Sequence, residues 1–275
     1  MTLLIGTAGV PSSSRGRDTL LGIERIKAIG LGAMEVEWVR GLRMSDELAS
    51  KVNKLAKHLD VKLTGHGPYW INLNASEKEK FEQSKQRVLK TARTGFKCGC
   101  TSVTFHTAYY MKQEPKVVYE KLKKILKDIC KTLENEGTKV KISLETTGKE
   151  SQFGTVNEIL SLSQEIDMIG ICVDFAHVFA RSIGKINSYD QFREILVKIE
   201  NKLGKKAIKN MHIHLSGIEY GNTGERNHLF LEQSKLNYKD VLRALKDFKA
   251  EGILITESPD PQADALLVQR VYRSL

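Results

Sequence analysis

Nine side chains able to bind a metal ion lie at or just after the ends of short apolar segments, and six of the chain's seven histidines are among them. The set comprises His66, His106, Glu145, Asp174, His177, His212, His214, His228 and Glu257. Imidazole combined with carboxylate suits zinc, manganese or iron better than magnesium or calcium. Because the set exceeds the needs of one tetrahedral ion, it predicts two or three ions sharing a carboxylate. Two metal ions that share a carboxylate ligand could together stabilise the attacking and leaving oxygens in displacement at a phosphate.

The elements that must position these residues are eight short β-rich segments alternating with longer amphipathic ones. The short segments are 3–8, 33–38, 61–66, 102–107, 139–145, 168–175, 211–215 and 252–257. In the longer segments, apolar residues recur at the three- and four-residue spacing of a helix. The alternation predicts an α/β fold, a (β/α)8 TIM barrel, as a single domain over residues 1–275. A doubly wound sheet is the alternative, but no glycine-rich phosphate loop follows any predicted strand.

In a parallel barrel, the C-terminal ends of the strands meet at one rim, where active sites lie. His66, His106 and Glu145 end the third, fourth and fifth predicted strands. Asp174 and Glu257 end the sixth and eighth. Glu145 is the expected bridging ligand because its strand lies in the middle of this set. Clustered buried carboxylates require cations, which favours a metal centre over separately packed side chains.

The chain is basic, with a net charge of +10 and a pI near 9.3, which favours a polyanionic partner such as nucleic acid. Basic residues follow several predicted strands: Arg15, Arg17, Arg40, Arg43, Lys112, Lys149, Arg181, Lys185 and Arg226. Aromatic residues accompany them: Trp38, Tyr69, Trp70, Tyr109 and Tyr110. Such residues can neutralise backbone phosphates or insert beside an extruded nucleotide.

The four cysteines lack the spacing of a zinc site, since Cys98 and Cys100 are separated by one residue and no matching pair follows. We expect reduced, mostly buried thiols. No signal peptide and no long apolar stretch is evident, which predicts a cytoplasmic protein without membrane association. We expect a monomer.

The chain resembles the endonuclease IV family of abasic-site endonucleases, within the xylose isomerase-like barrels. The matching segments are GHGPYWINL (65–73), FHT (105–107), SLETTG (143–148), VDFAHVFA (173–180), MHIHLSG (211–217), GERNH (224–228) and ITESPD (255–260). The resemblance implies three zinc ions, with Mn²⁺ or Fe²⁺ as alternatives. It also implies base excision repair: a hydroxide between the ions would cleave double-stranded DNA 5′ to an abasic site, leaving a 3′-hydroxyl.

The resemblance also implies roles for individual residues. The ligands of the first two ions would be His66, His106 and Glu145, and then Glu145, Asp174, His214 and Glu257. The third ion would be held by His177 with Glu225 and His228. Glu145 and Glu257 would be the catalytic carboxylates, and Tyr69, Arg40 and Arg226 would contact DNA. His214 is chosen over His212 because HLSG aligns best with the family's segment, so we expect His212 to lie one layer deeper.

The chain departs from the family pattern at two places. The family completes its third ion with an Asp-Arg-His run, whereas here Asn227 takes the histidine position and His228 follows it. The first predicted strand also lacks the family's histidine. Two alternatives therefore stay open: a metal-dependent sugar isomerase or epimerase on the same barrel, and a DNA-damage-binding protein with reduced cleavage.

Overall fold

The computed structural model describes residues 3–275, which contain twelve strands. In chain order these are β1 (Leu3–Ala8), β2 (Ala33–Glu37), β3 (Lys62–His66), β4 (Ser102–Phe105), β5 (Ala108–Tyr109), β6 (Lys141–Glu145), β7 (Gln152–Phe153), β8 (Ile169–Asp174), β9 (Met211–Leu215), β10 (Gly217–Gly221), β11 (Gly224–Leu229) and β12 (Gly252–Thr256). Eight of them form a closed parallel barrel in the order β1-β2-β3-β4-β6-β8-β9-β12. The predicted TIM barrel is confirmed.

Helices connect the barrel strands. They are α1 (Thr19–Ala28), α2 (Asp46–Leu59), α3 (Lys78–Cys98), α4 (Pro115–Asn135), α5 (Val156–Glu165), α6 (Phe175–Arg181), α7 (Tyr189–Leu203), α8 (Lys205–Ile208), α9 (Tyr238–Asp247) and α10 (Pro261–Ser274), with a 3-10 turn at Leu231–Gln233. Side chains cap several of these helices: Ser45 accepts a hydrogen bond from the Leu48 amide, and Thr155 forms a capping box with Glu158.

Alternate residues of each barrel strand face either the helices or the barrel interior. On β9, Ile213 and Leu215 belong to the large apolar core between barrel and helices, whereas His212 and His214 face inward. Burying one such apolar side chain stabilises the fold by about 1.5–3 kcal/mol. Parallel pairing then sets the height of each inward side chain, so that Asp174 lies beside His214.

Two small antiparallel sheets lie outside the barrel, and the sequence patterns did not predict them. One pairs β5 with β7, and the other pairs β10 with β11. The β10–β11 pairing is irregular: Tyr220 lies opposite Glu225, but Glu219 lies opposite Asn227. Arg226 is therefore an extra residue, which is a β-bulge.

Candidate metal centre

Glu145, at the C-terminal end of β6, is surrounded by four histidines. Its Oε2 atom lies 3.2 Å from Nε2 of His66 and 3.3 Å from Nε2 of His106. Its Oε1 atom lies 3.3 Å from Nδ1 of both His177 and His214. The Glu145 side chain is 1% exposed, so water does not compete for these contacts. A single buried carboxylate is thus shared between two groups of imidazoles.

The two groups on either side of Glu145 have the dimensions of metal sites. One contains His66, His106 and Glu145, and the other contains Glu145, Asp174, His214 and Glu257. Within each group the candidate ligand atoms lie within 4.8 Å of one another. Two ligands about 2.0–2.1 Å from one tetrahedral ion lie about 3.3 Å apart. The contacts of Glu145 and the 3.3 Å contact between His214 and Glu257 match this spacing.

Several buried polar atoms around Glu145 have no hydrogen-bond partner among the described residues. They are Asp174 Oδ2, His177 Nε2 and Glu225 Oε2. An unsatisfied buried polar atom costs about 1–3 kcal/mol, more when charged. Cations would satisfy carboxylate and imidazole atoms of this kind, so the residues present fit a zinc, manganese or iron centre.

A third group lies next to the second, between α6 and the β10–β11 sheet. Candidate ligand atoms of Asp174, His177 and His228 lie within 4.8 Å of one another, and Glu225 Oε2 lies 3.5 Å from His177 Nε2. Asn227 points elsewhere, and its side-chain amide donates to Glu219 across the sheet at 3.4 Å. The structure therefore brings His228, rather than Asn227, to His177.

The extra residue in β11 explains how Glu225 and His228 reach the same side. In a regular strand, residues three apart point to opposite faces. The bulge at Arg226 removes one residue from that alternation. Gly224 fixes the start of the strand, since it has a φ of 100° and a Cβ atom there would lie 2.1 Å from the Gly148 carbonyl oxygen.

Backbone carbonyl oxygens lie against Nδ1 of three imidazoles. For His66 and His228 this is the side away from the candidate ions, whereas Nδ1 of His177 also lies 3.3 Å from Glu145 Oε1. Nδ1 of His66 lies 2.8 Å from the Gly67 carbonyl oxygen, and Nδ1 of His228 lies 2.8 Å from the Glu257 carbonyl oxygen. Nδ1 of His177 lies 2.9 Å from the Thr146 carbonyl oxygen. Donation from Nδ1–H to a carbonyl leaves Nε2 free as a metal ligand.

Two further carboxylates, Glu35 and Glu37, line the interior beside this cluster, and sequence reasoning missed both. Glu37 pairs in register with His66 at the rim, and burial raises the pKa of its carboxyl to about 8. Burial alone would also raise the pKa of Glu257, but the neighbouring His214 imidazole holds it at about 2. The signal for Glu35 and Glu37 was their two-residue spacing on a strand predicted to be buried, which points both into the barrel.

The residues predicted to contact DNA lie around the mouth of the centre. Tyr69 is 61% exposed, and its ring meets the His66 ring edge-on at 5.9 Å between centroids. Trp70 beside it is 58% exposed. Arg40 is exposed and adjoins Tyr69, whose backbone amide donates to the Val39 carbonyl. Tyr69, Trp70 and Arg40 together form an aromatic and basic border on one side of the mouth of the metal centre.

The basic residues on the other side are placed differently. Arg226 is exposed and lies 3.6 Å from Glu219. Arg181, expected among the phosphate-binding residues, instead donates from Nη1 to the carbonyl oxygens of Lys149 and Gln152 at 2.6 and 2.8 Å. That expectation was wrong because the guanidinium is used to hold the loop after β6.

Comparison with known proteins gives the family. A family model described as xylose isomerase-like TIM barrel matches residues 23–275. The chain belongs to this family. The xylose isomerase-like chain is also 46% identical to an uncharacterised protein of Methanocaldococcus jannaschii over 273 residues, 99% of this chain and 98% of that protein. It is 28% identical to a probable endonuclease 4 of Ureaplasma parvum, over 64% of this chain and 58% of that protein.

Solved structures named for different activities share this barrel fold. Endonuclease IV from Thermus thermophilus superposes with a TM-score of 0.72 at 20% identity, covering 98% of both chains. A D-tagatose 3-epimerase-like protein superposes with a TM-score of 0.73 at 18% identity, covering 99% of this chain and 96% of that one. At these identities the likeness concerns the fold, so the side chains of the site must separate the activities. Within residues 3–275, no helix combines the length and apolarity needed to span a membrane.

Proposed function

We propose that this chain is a metal-dependent endonuclease that cleaves double-stranded DNA on the 5′ side of abasic sites. The observation that carries the proposal is the placement of Glu145 between two groups of ligand atoms, with a third group adjoining them. A sugar isomerase would need about four ligands for one ion. The surplus of imidazoles and carboxylates favours a multinuclear centre acting on phosphate.

Zinc, or manganese or iron in its place, would supply Lewis acidity towards the phosphate and its leaving oxygen. His66 and His106 would hold the first ion, and His214 with Glu257 would hold the second. Glu145 would be a ligand of both ions. Glu257 is suited to hold the second ion because one of its carboxylate oxygens lies 3.3 Å from Nδ1 of His214.

The border of the mouth supports DNA as the substrate. Tyr69 and Trp70 are large, exposed and adjacent, as is required of side chains that fill the gap beside an extruded nucleotide. Arg40 and Arg226 would neutralise phosphates on either side, in keeping with the net charge of +10. Extrusion costs least where a base is already missing, which gives selectivity for abasic sites.

A nicking assay with purified protein tests the proposal. The substrate is a labelled duplex with one tetrahydrofuran abasic analogue, and the same duplex without the lesion is the control. We expect a single cut 5′ to the analogue, loss of cutting after a strong chelator, and recovery with Zn²⁺ but not Mg²⁺. Absence of any cut with two or more zinc ions bound per chain would contradict the proposal.

A sugar isomerase or epimerase is the second candidate, and Glu37 is the observation that favours it. Its Oε1 atom is buried without a hydrogen-bond partner among the described residues, and its pKa of about 8 would let it exchange a proton near neutral pH, as an isomerase requires. Conversion of ketohexoses, followed by chromatography, would support this candidate if nicking fails. Salt-sensitive binding of the abasic duplex without either reaction would instead identify a damage-binding protein.

A further inference from the structure

A buried carboxylate below the rim contacts both inward-facing histidines of β9. Glu35 Oε2 lies 2.9 Å from Nε2 of His212, and Glu35 Oε1 lies 3.0 Å from Nε2 of His214. Glu35 and His214 are fully buried, and His212 is 3% exposed. Because β1 and β12 separate β2 from β9 in the barrel, Glu35 reaches these histidines across the interior.

His214 differs from the other candidate ligands in what lies behind its ring. His66, His177 and His228 each place Nδ1 against a backbone carbonyl oxygen. His214 instead turns Nε2 to the Glu35 carboxylate, while its Nδ1 lies 3.3 Å from both Glu145 and Glu257. A carboxylate behind a metal-bound imidazole fixes the tautomer and makes the imidazole a stronger ligand than a carbonyl would.

The two contacts of Glu35 have different geometry. The contact with His212 has the geometry of a hydrogen bond, whereas the contact with His214 has the distance of one but not the alignment. Neither His214 Nε2 nor Glu35 Oε1 has a hydrogen-bond partner elsewhere among residues 3–275. These two otherwise unpartnered buried atoms therefore face each other at 3.0 Å.

We propose that Glu35 is a positioning residue that keeps the His214 proton on Nε2, so that Nδ1 presents its lone pair to the second ion. His212 holds Glu35 in place through the aligned bond. The Ser102 hydroxyl lies 3.0 Å from His212 Nδ1 and can donate or accept, so it supports His212 in either protonation state. The proposal rests on the metal centre of the proposed function and is independent of the substrate.

The same region contains an arrangement that competes with this explanation. Candidate ligand atoms of Cys172, His212 and His214 lie within 4.8 Å of one another, as a deep metal site would require. An ion there would take His212 and His214 away from Glu35, which would leave a buried carboxylate without donors. We therefore favour positioning, and an ion count in Cys172→Ser separates the two. An unchanged count supports positioning, and loss of one ion overturns it.

The main experiment measures zinc affinity rather than activity. Zinc bound to purified Glu35→Gln and Glu35→Ala is titrated against a chromophoric chelator and counted by atomic emission. We expect the affinity of one ion to fall by about 10- to 100-fold, the usual effect of removing such a partner, with the remaining ions unchanged. Thr64→Val removes another buried, inward-facing polar group and should leave every affinity within about threefold of wild type.

A measurement on the wild-type chain keeps the proposal testable if the variants fail to fold. Long-range ¹⁵N–¹H spectra of the histidine rings report which nitrogen carries the proton. In the zinc-loaded protein we expect His214, assigned with His214→Asn, to be protonated at Nε2. A proton on Nδ1, or equal zinc affinities in Glu35→Ala and wild type, would overturn the proposal. Failure to cut DNA while this pattern holds would count against the nuclease alone.

Discussion

The ligands carried by barrel strands and those carried by the β10–β11 sheet are positioned by different means. Every residue of β9 is buried, and His214 pairs in register with Asp174 of β8 on one side and Ile255 of β12 on the other. The β10–β11 sheet has two strands, and most of β11 is partly or fully exposed. The barrel ligands are therefore fixed by closed pairing, whereas Glu225 and His228 depend on one bulge and one glycine. The third group should accordingly hold its ion more weakly than the first two.

The largest effect that distinguishes the two regions should come from Glu145→Gln. Losing the shared charge weakens both barrel groups, and metal ions contribute several kcal/mol to phosphate displacement. We expect cleavage of abasic DNA to fall on the order of 1,000-fold, with loss of at least one zinc ion per chain. Glu134→Gln, on the exposed face of α4, is the matched control. Full activity in Glu145→Gln would remove the basis of the nuclease assignment.

A smaller effect is expected from His228→Ala. This change removes a ligand of the third group only, so one ion should be lost or weakened by about 10- to 100-fold while two remain. Asn227→Ala should keep all ions, because Asn227 faces Glu219. Zinc counting after dialysis against increasing chelator measures both. The bulge explanation is wrong if Asn227→Ala, and not His228→Ala, releases zinc.

The aromatic border can be tested with Tyr69→Ala. Stacking of an aromatic ring on a base contributes roughly 1–3 kcal/mol, so binding of the abasic duplex should weaken about tenfold. The metal content should not change, because Tyr69 contributes no ligand atom. Phe96→Ala is a control, since this exposed ring lies near the C-terminal end of α3, which leads to the opposite end of the barrel. Equal losses in the two variants would argue against a role of the border in DNA binding.

The smallest effect should come from Arg226→Ala at the bulge of β11. Because the guanidinium would neutralise one backbone phosphate, its removal should lower affinity for all DNA sequences alike and reduce the salt slope of binding by about 1. Fluorescence anisotropy at several salt concentrations gives the slope. An unchanged slope would show that Arg226 does not reach the DNA backbone.

The sequence was sufficient for the barrel and for most of the residues gathered at its rim. Polar residues lie at or near the ends of several short β-rich segments, and the C-terminal ends of parallel barrel strands share one rim. His66, Glu145, Asp174 and Glu257 could therefore be grouped from the order of the segments alone. The same logic applied to Glu35 and Glu37 would have found them, but the segment AMEVEW was interpreted only as a strand.

Other features depend on contacts that no local pattern encodes. The bulge at Arg226 follows from how two short strands pair, and the sequence alone left Asn227 and His228 as competing candidates. Arg181 looked like a phosphate ligand because it follows a strand, but its environment is set by carbonyl oxygens of a distant loop. The contact of His214 with Glu35 joins strands that are not neighbours.

The extra residue in β11 also bears on which insertions and deletions the sequence can accept. When one inserted residue forms a bulge, the side chains before and after it keep their directions. The number of residues between two ligands can therefore increase while the ligand atoms keep their positions in the site. Deleting Arg226 should therefore leave Glu225 and His228 on the same side of the sheet. A search for ligand pairs at fixed intervals would overlook chains in which such an insertion has occurred.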